Sequence, residues 1–167
     1  MHHGVALGKQ ESDVRMGRLI ASLALALVMM AAVAWAESVS FPHSTLDVVG
    51  ADGRHHPFSV ELASSPAQLS QGLMFRRSLA IDSGMLFDFG SPRQVAMWMK
   101  NTLIPLDMLF MDRDGRVIFI EEFAVPGTLQ PRGPSDPVRA VLEVAGGTAR
   151  RLGLKPGDRV EHPLFAH

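Results

Sequence analysis

The sequence predicts a mainly β, α+β fold: a small antiparallel barrel or strongly curled sheet with two short helices. Three observations predict it. Short apolar runs recur between glycine and proline signals, Asp-Gly pairs twice join such runs, and the segments with helix-capping signals are only a turn or two long. Helices that short are not expected to serve as βαβ crossovers, which need a dozen or more residues.

Taken in order, Thr45–Val49 and Phe58–Leu62 read as strands, with Asp52-Gly53 as the turn signal between them. Ser65-Pro66 supplies an N-cap and a first-turn proline, and Leu69 and Leu73 follow at helical spacing, so a short helix ends near Gly72–Met74. Met85–Phe89 and Val95–Lys100 are the next strands. Met108–Asp112 and Val117–Ala124 form a second hairpin around Arg113-Asp114-Gly115. Pro126, Pro131, Pro134 and Pro137 define a long loop, which in a compact domain is functional or mobile. Arg139–Ala145 is a strand, and Thr148–Leu152 is a short helix with Gly153 in the left-handed position. Pro156-Gly157 suits a type II turn before a last strand over Arg159–His162.

The N-terminus points to export. Arg15 and Arg18 precede an apolar stretch from Leu19 to Trp35, and Ala34-Trp35-Ala36 supplies small residues for a signal peptidase. Residues 1–36 are therefore expected to be a signal peptide cleaved after Ala36, with Met16 an alternative start to Met1. Residues 37–44 are then a linker and 45–165 a single domain, working in a periplasm. The apolar run approaches the ~20 residues of a spanning helix, so an uncleaved anchor is the alternative and the only expected link to a membrane. The chain has no cysteine. That excludes a lipoprotein anchor, disulfides, thiolate metal sites and cysteine nucleophiles. Its formal net charge is −1 at pH 7, and a near-neutral domain without a basic stripe is not expected to bind nucleic acid.

The chemistry-bearing residues concentrate in one stretch. In Val95–Asn101 a period of two puts Val95, Met97, Met99 and Asn101 on one face and Ala96, Trp98 and Lys100 on the other. Trp98 beside Lys100 sets an aromatic plane next to a cation, a pairing suited to a sugar, a carboxylate or a phosphate. A core tryptophan with a snorkelling lysine is the plainer alternative. Asn101, Thr102 and Asp107 then surround a proline-directed loop, where they either bind or supply turn chemistry. Glu143 stands in the apolar run Val141-Leu142-Glu143-Val144, where a charge needs a partner such as Arg76 or Lys100.

Other schemes are weaker. There is no G-x-S-x-G and no phosphate-cradling glycine loop. Asp112 opens like a calcium loop, but Val117 and Phe123 occupy the positions that need glycine and glutamate. Met97-x-Met99 with His55-His56 is a conceivable soft copper site, although methionines among Val, Leu and Phe usually fill core. No cofactor and no metal is expected.

Gly72-Leu73-Met74-Phe75-Arg76, Gly84-Met85-Leu86-Phe87 and the run Trp98-Met99-Lys100-Asn101-Thr102-Leu103-Ile104-Pro105-Leu106-Asp107 resemble the family named domain of unknown function 192. Val141-Leu142-Glu143 and Gly153-Leu154-Lys155-Pro156-Gly157-Asp158 fit the same pattern, and the resemblance runs from about Leu46 to Pro163. It implies a compact β-rich domain, often behind a signal peptide, and no stated activity. It marks Arg76, Trp98, Lys100, Asn101, Thr102 and Asp107 as the family's characteristic cluster. Many relatives carry cysteines in the long loop; their absence here means that no redox role transfers.

The expected function is a non-catalytic, exported binding or accessory module. Arg76, Trp98, Lys100, Asn101, Thr102, Asp107 and Glu143 would line a pocket for a small anionic or carbohydrate ligand. The alternatives are an envelope-carbohydrate hydrolase using Asp107 and Glu143 across a cleft of ~5–10 Å, a methionine-based copper protein, and a purely structural signature.

Overall fold

The structure, a computed structural model, describes residues 39–166; the expected leader and its cleavage site lie outside the described residues. Among the described residues no helix is long and apolar enough to cross a membrane.

The chain runs His43–Val49 (β1), His55–Ala63 (β2), Pro66–Gln71 (α1), Ser83–Arg93 (β3), Leu106–Met111 (β4), Val117–Ala124 (β5), Val138–Ala145 (β6), Thr148–Leu152 (α2) and Arg159–Glu161 (β7). A 3-10 turn over Pro163–Phe165 follows. The seven strands make one sheet in the order β5-β4-β6-β3-β2-β1-β7. It curls until its two outermost strands approach: Val117 N–H donates to the Asp158 carbonyl, and Val160 N–H to the Gly115 carbonyl, each at 2.8 Å. The mainly β, strongly curled sheet with two short helices is thus the observed fold.

The ladders are antiparallel except β2 with β3, which is parallel. The crossover excluded on helix length therefore exists. It spans the whole segment between Ala63 and Ser83, and α1 is only its first part, so connection length rather than helix length decides whether the chain can return. Val95–Lys100 is not a ladder strand either. It is an extended segment with a single bridge, Met97 to Arg132, and its N–H and C=O groups pair with the long loop instead. Met99 N–H donates to the Thr128 carbonyl at 3.0 Å, and Gly127 N–H to the Met99 carbonyl at 3.0 Å. The proline-rich loop is tied down along this segment. Near the N-terminus, residues of the expected linker pack: Phe41 lies against the core, and the Ser40 carbonyl accepts from Gln68 at 2.7 Å.

Strands β4 and β6 lie in the middle of one half of the sheet and are buried almost end to end, which is why they read as near-continuous apolar runs. Alternation splits their side chains between two cores. One core draws on every strand and includes Leu86, Leu109, Leu142 and Val144. The other, on the opposite face, includes Met85, Phe87, Met108, Phe110 and Val141, covered by Leu73, Val95 and Met99. Gly84 makes the β3–β6 approach possible, since a Cβ there would sit 2.5 Å from the Glu143 carbonyl oxygen.

Candidate functional site

An open cleft borders the second core. A cavity of about 440 Å³ opens where α1 and Gly72–Met74 face the end of β3 and the 94–102 segment. Helix α1 is set there by a capping box: Ser65 accepts from Gln68 N–H while the Gln68 side chain accepts from Ser65 N–H. Gly72 ends the helix with φ 48°, and a Cβ on it would meet the Phe87 ring at 2.9 Å, so this turn can close over the aromatic wall only without a side chain. Leu73, Phe87, Phe89 and Met97 form an apolar wall, and Arg93, Trp98, Lys100 and Thr102 are among the polar and aromatic residues that line the rest.

Glu143 reaches this cavity from β6 and is 4 % exposed. Among the described residues it has no hydrogen bond and no ion pair. No buried side-chain oxygen or nitrogen there lacks a partner, so the Glu143 oxygens are ones that open onto the cavity. Burial favours the neutral acid and pushes its pKa up to about 8. The ion pair expected with Arg76 or Lys100 does not form. Arg76 instead pairs with Glu61 at 2.5 Å and does not line the cavity.

Trp98 is 52 % exposed, so it is not a core tryptophan, and the Lys100 ammonium lies 5.7 Å from its ring centroid. The alternation expected for this segment holds, with Val95 and Met99 buried and Ala96, Trp98 and Lys100 exposed. It stops at Asn101, whose φ of 55° turns the chain and leaves the side chain exposed. The Asn101 carbonyl accepts from Phe75 N–H at 2.9 Å, and its amide lies 3.8 Å from the Met74 sulfur, so Asn101 braces the cavity from outside. Thr102 is buried, with its hydroxyl 3.4 Å from the Lys100 carbonyl.

Asp107 is elsewhere. In the β4–β6 register it faces Val144 while Met108 faces Glu143, so Asp107 and Glu143 point to opposite sides of the sheet. The acid–base pair across one cleft is not available to them. Asp107 sits in a β-bulge and is fully buried. Its Oδ1 accepts from Phe123 N–H at 2.8 Å and Gly147 N–H at 3.0 Å, and its Oδ2 from Ala149 N–H at 2.7 Å. Phe123 is the left-handed residue of the bulge, with φ 54°. Asp107 therefore ties the end of β5 to the first turn of α2. Asp158 does the same for the β1–β2 turn, accepting from Ala51 N–H at 3.0 Å and Lys155 N–H at 2.8 Å.

Of the copper grouping, Met99 is buried in the core.

The structure thus brings Trp98, Lys100, Thr102 and Glu143 together, places Asn101 beside them, and separates Arg76 and Asp107. Sequence reasoning missed Phe87, Phe89 and Arg93. The alternation Met85, Phe87, Phe89 marks the two aromatics as one face, but the register shift between Asp88 and Arg93 hides the parity of the arginine.

The model of the DUF192 family, described as an uncharacterized ACR, matches residues 48–162, and the chain belongs to that family. Solved structures are similar to it, two of them as follows. One is from Sinorhizobium meliloti, described as a "putative transcription regulator", 51% identical over 74% of this chain and 96% of that one, with a TM-score of 0.73. The other is a protein of unknown function from Novosphingobium aromaticivorans, 42% identical over 75% of this chain and 89% of that one, with a TM-score of 0.71. No curated protein matches the chain.

Proposed function

We propose that this DUF192 member is a non-catalytic binding module of the cell envelope. It is exported behind residues 1–36 and holds a small anionic or carbohydrate ligand in the cavity beside Trp98 and Lys100. The observation that carries this reading is the Glu143 carboxyl, almost wholly buried, open to a cavity and without a hydrogen bond or ion pair among the described residues. A domain gains nothing in stability from such a group, and unpartnered buried acids beside a cavity belong to functional sites. The cavity volume falls in the range of small-molecule sites, about 300–1,000 Å³, and its lining sets an apolar wall beside polar and charged side chains. Export is supported by the basic, apolar and small-residue order of the leader. The regulator description of the Sinorhizobium protein draws no support from this chain's charge of −1.

The test is a thermal-shift survey of the mature chain with organic acids, phosphates and envelope sugars. A ligand at a hundred times its dissociation constant adds about 2.7 kcal/mol, or several degrees. The expected result is a shift with at least one class that disappears in Lys100→Ala. A shift that survives Lys100→Ala and Trp98→Ala unchanged would place the ligand elsewhere.

A further inference from the structure

The cavity holds an arrangement of charge that narrows the ligand class, and the inference from it rests on the binding reading above. The charged or titratable groups facing the cavity are Arg93 from the end of β3, Lys100 from the 94–102 segment and Glu143 from β6; α1 contributes Leu69, Ser70 and Gln71, none of them titratable. Arg93 lies over the Phe89 ring at 5.1 Å and Lys100 over Trp98 at 5.7 Å, so each cation rests on an aromatic plane, and among the described residues neither forms an ion pair with a carboxylate. With Glu143 neutral, the cavity carries two positive charges and the Glu143 O–H, beside Ser70, Gln71, Gln94 and Thr102, above an apolar wall of Leu73, Phe87 and Met97.

We infer that Glu143 donates its proton in a hydrogen bond to the acid group of the ligand, and that the cavity selects small organic acids with an aliphatic or aryl body. An anion suits Arg93, Lys100 and the neutral Glu143 at once. Arg93 and Lys100 attract it, and a neutral carboxylic acid gives a carboxylate a short charge-assisted O–H···O⁻ bond that an ionised Glu143 would replace with repulsion. A neutral sugar could stack on Trp98 but would leave both cations without a counter-charge. An amine would have to draw the proton off Glu143 while facing two cations.

This inference makes binding proton-linked. Only the protonated form of Glu143 is competent, and burial holds that proton until about pH 8. The affinity for an organic acid should then fall about tenfold between pH 7 and pH 9, following the competent fraction. Calorimetric titration of the purified protein with benzoate, hexanoate, benzamide and benzylamine tests it. Benzoate or hexanoate is expected to bind best and to take up a proton at pH 9, seen by comparing buffers of different ionisation enthalpy. Glu143→Gln keeps an N–H donor without a titration, so the variant should retain the acid and lose the pH slope.

Affinity of the native protein that does not change between pH 7 and pH 9 would overturn the inference, without needing any variant to fold. So would the same slope in Glu143→Gln, or tighter benzylamine binding with proton release. Binding that is lost in Lys100→Ala but insensitive to pH would leave the pocket standing and remove only the role of Glu143. Silence with both acids would remove this ligand class, and silence with the sugars and phosphates as well would remove the pocket reading.

Discussion

Asp107 and Glu143 are one step apart across the same ladder, and the protein treats them in opposite ways. Both are buried acids on central strands, β4 and β6. On one face of the sheet, Asp107 accepts three backbone N–H groups and joins a bulge to a helix start. On the other face, Glu143 accepts from no donor among the described residues and opens to a cavity. A buried carboxyl surrounded by orphan donors is part of the scaffold, because the donors need it as much as it needs them. A buried carboxyl with no donors is a cost that the scaffold carries for some other purpose. Burial alone therefore does not distinguish structure from function; the partner list does.

The largest expected effect breaks the first half of this comparison. Asp107→Ala would leave three N–H groups without their acceptor, at about 1–3 kcal/mol each, so a loss of about 5 kcal/mol is expected in urea unfolding. A loss below about 1 kcal/mol would mean that water replaces the carboxylate and that Asp107 is not a latch.

The second prediction concerns Glu143 and its sign. Its pKa rises from an ordinary 4.5 to about 8 on folding, so the folded state holds the proton more tightly than the unfolded chain. This contribution is fully present below pH 4.5, is lost progressively as pH rises towards 8, and is flat above that. The total is about 5 kcal/mol by linkage, since one pKa unit corresponds to about 1.4 kcal/mol. Glu143→Gln should therefore be more stable than the native protein by about 4 kcal/mol at pH 8 and nearly equal to it at pH 4. Denaturant titrations at the two pH values measure it, and a variant destabilised at pH 8 would mean that Glu143 has a structural partner after all.

Smaller effects sharpen the boundary of the site. Arg76→Ala removes the pair with Glu61, whose side chains are 34% and 17% exposed, so about 1 kcal/mol should be lost with ligand affinity unchanged. Lys100→Ala touches an exposed cation and should change stability by less than about 0.5 kcal/mol while weakening any anion. If Lys100→Ala costs as much as Asp107→Ala, the rim is scaffold too.

Much of the local structure was legible. Val117–Ala124 and Thr148–Leu152 were read to the residue, because an Asp-Gly turn and a left-handed Gly153 mark their ends within a few positions. Other features were not readable locally. The 95–100 segment has strand-like alternation, yet its neighbour is the proline-rich loop rather than a ladder, and periodicity reports which side faces the core, not what the backbone pairs with. The crossover into β3 was missed for a related reason: parallel pairing depends on two strands separated by the whole of residues 64–82. At the site, the Trp98-Lys100 pairing was readable because it is local. The grouping of Asp107 with Glu143 was wrong because it depended on a register that neither strand contains by itself.

The sequence alone determined the β-rich class, the turns and caps that punctuate it, and an apolar strand interrupted by one acid, since these depend on period and on residues a few positions apart. Only the tertiary structure decided that β4 and β6 pair with Asp107 opposite Val144, one position out of step with Glu143. In a sheet, one position is a change of face. That step sends one acid to the backbone donors of a latch and the other to an open cavity.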